Sequence, residues 1–105
     1  MPKFQLVLQW PSTDVADFDD LIDFEDTLDA RLSPHLGIVD GHDAGSGEIN
    51  IFILTDTPEK TFAECRSLIR SPRLASGLSA AYRSVAAEEY TRLWPEASLA
   101  AFRVN

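Results

Sequence analysis

The chain has 105 residues, enough for one domain and too few for two with useful cores. Apolar residues make up 45% and charged residues 25%, which excludes an intrinsically disordered chain, and the single cysteine, Cys65, excludes an intrachain disulfide and fits a reducing compartment. Seventeen acids against nine Lys and Arg set a net charge of −8, a field that repels nucleic acid and anionic membranes and attracts basic proteins or cations.

The first ten residues, MPKFQLVLQW, alternate with a period of two. Phe4, Leu6, Leu8 and Trp10 point one way; Lys3, Gln5 and Gln9 point the other, with Val7 among them. This predicts a half-buried strand and not a signal peptide. No apolar run approaches the roughly 20 residues of a membrane span, so a cytoplasmic protein is expected, with neither membrane nor nucleic acid among its partners. Pro11 stops the strand, and Ser12, Thr13 and Asp14 offer helix caps.

Over residues 15–32 the period becomes helical. Phe18, Leu21, Ile22, Phe24, Leu28 and Leu32 share one broad face, with Asp19, Asp23 and Asp26 as a stripe on the other. Residues 14–29 hold eight acids and no base, and the remaining nine acids are matched by the nine cations, so the whole charge excess lies here. The acid stripe is a candidate face for a basic protein partner, and equally a solvated surface that keeps the chain soluble. Glu25 is out of place at the centre of the apolar face, between Leu21, Leu28 and Leu32. A buried carboxylate needs a partner, and Asn50, Arg83 and Arg92 are candidates; a helix that rotates or ends near the sheet edge, leaving Glu25 wet, is the alternative. Ser33-Pro34 ends the helix.

A short strand is expected over residues 36–42, then a turn at Asp43-Ala44-Gly45-Ser46-Gly47, where two glycines supply positive φ. Residues 48–55 (EINIFILT) are apolar on both faces and belong inside a sheet, completing a hairpin. This segment carries the densest polar group in the chain: Asp40, His42, Asp43 and Glu48. A histidine beside carboxylates can act as a general base or bind metal, although the spacing matches no calcium-loop or zinc signature. A plain hairpin turn, its Asp side chains bonding local amides, explains the same residues.

Thr57-Pro58-Glu59 starts a second helix that the pattern carries to about Arg70, with Phe62, Cys65, Leu68 and Ile69 inward. Cys65 reads as core filling, not as a nucleophile. Ser71-Pro72 stops this helix, and residues 73–77 make an extra helical turn or a loop. Residues 78–94 suit either helix or strand; strand is favoured over 81–85 and 89–94, with Pro95 as the stop. The tail could add an edge segment. Trp10, Tyr82, Tyr90 and Trp94 could cluster on the sheet as core or as an oligomer interface. Arg66, Arg70 and Arg73 form a strip too sparse for nucleic acid.

The resulting order is strand, helix, strand, strand, helix, strand in one α+β domain over residues 1–105. That is the ferredoxin-like βαββαβ plan, an antiparallel sheet with two helices packed on one face and the first and third strands central. No cofactor motif, Walker loop, GxSxG or CxxC is present, so no cofactor is expected and an enzyme is the less favoured reading.

Residues 36–56 (LGIVDGHDAGSGEINIFILTD) and 89–96 (EYTRLWPE) resemble small, uncharacterised bacterial proteins, a likeness that covers about half the chain and brings no activity with it. Length and plan are also similar to dimeric α+β barrel domains, including the antibiotic-monooxygenase-like group. That resemblance is architectural and implies a homodimer through the open sheet face; no catalytic residue of the group falls on a position here.

Overall fold

The alternation at the N-terminus becomes strand β1 (Phe4–Pro11) in the computed structural model, which describes residues 2–11, 15–45, 47–95 and 102–104, the side chains of 15–18 excepted. The proposed caps at residues 12–14 and the Phe18 side chain lie outside the described residues. Helix α1 (Val15–Arg31) follows, then β2 (Ile38–Gly45), β3 (Glu48–Thr55), α2 (Pro58–Ser67), α3 (Pro72–Gly77), β4 (Ser79–Ser84) and β5 (Thr91–Trp94). Among the described residues the sheet has five antiparallel strands in the order β2-β3-β1-β4-β5. The expected antiparallel α+β layout holds, and β1 and β3 are neighbours inside the sheet.

The expected six-element order does not hold, because a third helix and a fifth strand are added. Pro72 fits a first helical turn and restarts a helix as α3. At the other end the turn after Ser84, closed by Ala87 N–H donating to Ser84 O at 3.0 Å, reverses the chain, so Thr91–Trp94 pairs with β4 instead of extending it. Helix α2 also stops at Ser67, three residues early: Leu68 and Ile69 leave the helical path but still pack on the core. Thr57 takes the N-cap position without a side-chain cap bond.

All three helices lie on one sheet face. Leu6, Leu8 and Trp10 of β1, Ile49, Ile51 and Ile53 of β3, and Ala80 of β4 form one buried cluster with Leu21, Phe24 and Leu28 of α1, Phe62 and Cys65 of α2, and Leu74 of α3. Burying such side chains contributes about 1.5–3 kcal/mol each, so this layer dominates stability. The strand expected to be apolar on both faces, β3, is buried along most of its length.

The other sheet face carries Gln5, Val7 and Gln9 of β1 opposite Leu54, Phe52 and Asn50 of β3. Its mixed polarity has a cause inside the chain. C-terminal residues 102–104 lie over the Gln9 end, where Gln9 Nε2 donates to Arg103 O at 2.7 Å and Phe102 packs on Tyr90 with ring centroids 5.2 Å apart. At the far end of β3, Thr55 Oγ1 and Thr61 Oγ1 each lie 2.6 Å from Leu36 O and 2.8 Å from one another. Two hydroxyl protons serve these three contacts, and together they tie the chain before β2 to β3 and α2.

Candidate functional site

Glu25 meets His42. Its Oε1 and Oε2 lie 2.9 and 3.1 Å from His42 Nδ1, joining the middle of α1 to the edge strand β2. The Glu25 side chain is 15% exposed and that of His42 36%. The carboxylate can only accept, so Nδ1 carries the proton of this bond, which orients the ring. None of the expected partners of Glu25 fills this role. Asn50 and Arg83 project from the opposite sheet face, where Asn50 pairs with Gln9 and Arg83 Nε donates to Gln5 Oε1 at 3.1 Å. Arg92 turns toward the ring of Phe102.

A one-residue irregularity makes the contact possible. In an unbroken strand, Ile38, Asp40 and His42 would share one face, and Ile38 sits opposite Leu54 on the face away from the helices. The pairing slips between Val39 and Gly41, leaving Asp40 as the extra residue. His42 is thereby turned to the helix side, opposite Ile51 of the core. Gly41 permits this with φ of 131°, a conformation side-chain-bearing residues rarely adopt. Bulges re-aim side chains in this way, and they are over-represented beside functional sites. Of the two glycines expected at positive φ in the turn, Gly47 has it, but the second such glycine is Gly41 and not Gly45.

The bulge also disperses the polar group read around the turn. Asp40 no longer shares a face with His42; its side chain is exposed. Asp43 is exposed on the opposite face, across from Asn50. Glu48 is buried on that face too, where Oε2 accepts from Gln9 Nε2 at 2.9 Å and from Asn50 Nδ2 at 3.0 Å. This amide–carboxylate network was not legible in the sequence, although Gln9, Glu48 and Asn50 all stand at alternate strand positions. Among the described residues, no three His, Cys, Asp or Glu side chains gather to hold a metal.

On α1 the predicted stripe is in place: Asp19, Asp23, Asp26 and also Asp29 are exposed. Asp20 lies 3.7 Å from Arg73, and among the described residues no cation pairs with Asp19, Asp23, Asp26 or Asp29. Beside the stripe is a cleft of about 330 Å³ with Phe24 and Leu68 in its lining, Asp20 and Asp23 on one side, and Arg31 and Arg70 also contributing. Cys65 is fully buried, and desolvation, with a smaller contribution from Glu64, pushes its thiol up to about 12. It fills core and offers no thiolate at neutral pH. The four large aromatics do not cluster. Trp10 packs on Phe24, Tyr82 on Phe4, Tyr90 on Phe102, and Trp94 lies under the Arg66 guanidinium at 3.7 Å.

No family model, no curated protein and no solved structure matches the chain.

Proposed function

We propose that this chain is a binding protein without chemistry of its own, which receives a basic partner on the outer face of α1. The observation that carries the reading is the run of exposed acids Asp19, Asp23 and Asp26, unpaired with any cation among the described residues, of which Asp23 also borders a cleft that holds Phe24, Leu68 and Leu74. A lysine or arginine side chain suits the Asp23 edge of this cleft, with its methylene stem on Phe24 and Leu68 and its charged head at Asp23, since Asp20 already meets Arg73. The order β2-β3-β1-β4 of the first four strands supports reading the scaffold as a ferredoxin-like fold extended by α3 and β5.

Replacing Asp19, Asp23 and Asp26 together by Asn should weaken binding of an oligo-arginine peptide at least ten-fold at low salt, or about 1.4 kcal/mol, with the difference shrinking as salt is raised. The control neutralises three acids elsewhere: Glu59, Glu88 and Glu89 to Gln. Equal losses in the two triple variants would mean that net charge, and not this face, does the binding.

A second reading has its own observation, the bulge that aims His42 at Glu25. An imidazole oriented through Nδ1 by a half-buried carboxylate is the arrangement of an acid–base pair or of part of a small-molecule or metal site. It predicts that a divalent transition-metal ion raises the melting temperature by mass action and that His42→Ala removes the shift. A melting curve indifferent to such ions dismisses the metal form.

A further inference from the structure

We propose that the cleft beside α1 takes a basic residue at the carboxy-terminal end of a partner chain, with Asp23 on the side-chain cation and Arg31 and Arg70 on the terminal carboxylate. The proposal rests on the reading that this face receives a basic partner, and it names the kind of basic residue selected. At about 330 Å³ the cleft is at the small end of ligand sites, with room for one residue and not for a helix or a strand. Its lining carries both signs of charge. Asp20 and Asp23 contribute acids from α1, while Arg31 in the last turn of α1 and Arg70 between α2 and α3 contribute cations. Phe24, Leu68 and Leu74 add apolar surface.

The two signs do not satisfy each other. Asp20 meets Arg73 at 3.7 Å, but among the described residues Asp23, Arg31 and Arg70 are in no ion pair, although all three are exposed and border one small cleft. Along α1, Asp23 and Arg31 stand about 12 Å apart at ~1.5 Å of rise per residue. Thr27, between them, turns its hydroxyl back to its own helix, donating to Asp23 O at 3.0 Å. The acids alone would suit any cation. The acid, the apolar surface and the two bases together suit a ligand with a cation at one end, an anion at the other and a methylene stem between them.

A lysine or arginine that ends a chain is such a ligand. Its side chain carries the cation, its main chain ends in the carboxylate, and methylenes join the two. The carboxylate accepts from a guanidinium fork in the geometry arginine is suited to. A basic residue inside a chain lacks the anion and leaves Arg31 and Arg70 unanswered. A free amino acid brings an ammonium beside its carboxylate, which the two arginines repel.

The test is an NMR titration of the intact chain at low salt with a short acetylated glycine–serine peptide that ends in arginine, once as the free carboxylate and once as the carboxy-terminal amide. The net charge of −8 by itself favours the amide, the more cationic peptide, so the order of affinities is decisive. The free acid should bind about five-fold more tightly, the effect of one carboxylate on two exposed arginines. That preference should vanish or invert when Arg31→Gln and Arg70→Gln are combined, and Asp23→Asn should weaken both peptides. Free arginine should bind about five-fold more weakly than the peptide acid. All three side chains are exposed, so the variants keep the fold. An amide that binds as tightly as the acid, a preference for the acid that survives in the double variant, or free arginine that matches the peptide acid would each overturn the proposal. If the amide matches the acid, Asp23→Asn separates the two readings: a loss for both peptides leaves the acidic face standing, and no loss removes it too.

Discussion

Replacing Trp10 by Ala is expected to lower the free energy of unfolding by about 3–5 kcal/mol. The residue joins three elements. It sits in β1, is 3% exposed, and packs edge-on against Phe24 of α1 with ring centroids 5.9 Å apart. Its Nε1 donates to Leu74 O of α3 at 2.7 Å. Truncation removes the ring and leaves a cavity that β1 cannot close, because β3 and β4 hold it on both sides. Trp10→Phe separates the two contributions. It keeps most of the apolar contact and removes the donor, so the Leu74 carbonyl loses its partner at a cost of about 1–3 kcal/mol. Urea denaturation of the two variants checks both numbers. A Trp10→Ala loss under about 1 kcal/mol would mean that α3 does not lean on this ring.

Gly41→Val is expected to cost roughly 1–3 kcal/mol and, more tellingly, to separate His42 from Glu25. No atom lies within 4 Å of the position a Cβ would take, so crowding is not the cause. The cost is conformational: φ of 131° is closed to a β-branched residue. The strand can relieve the strain by straightening. A straight β2 returns His42 to the face away from the helices and strips Glu25 of its partner. NMR of the His42 ring reads this directly, since its shift in Gly41→Val should match that of His42 in Glu25→Gln. Should the ring resonance stay at its native position, the bulge would not be what aims it. Gly45→Val serves as a control, because Gly45 has neither a positive φ nor a neighbour within 4 Å, and it should be far milder.

Much of the fold was readable from local rhythm. The two-residue alternation of Phe4 to Trp10 gave β1, the helical spacing of Leu21, Phe24 and Leu28 gave the inner face of α1, and the run Ile49 to Leu54, apolar but for Asn50, gave an interior strand. In each case one rhythm held over enough residues to leave a single answer. The helix proposed to Arg70 stopped early because apolar spacing reports which residues face inward, and Leu68 and Ile69 do so from a turn as well as from a helix. The candidate site was half visible. Glu25 stood out as a carboxylate among leucines and His42 as a histidine among acids, but they are 17 residues apart, and nothing local linked them.

Composition and periodicity decided the class of fold, the inward faces of the elements and the position of the acid stripe, since each follows from how often apolar and charged residues recur. Three things were left to the assembled chain: the partner of Glu25, the split of Asp40, His42, Asp43 and Glu48 between two sheet faces, and the cover over Gln9. The first two turn on register, and the third on where the C-terminal residues return over β1. One residue looped out at Asp40 reverses every side chain that follows it in β2, and the contact this makes, His42 with Glu25, joins residues 17 apart that no local rhythm connects.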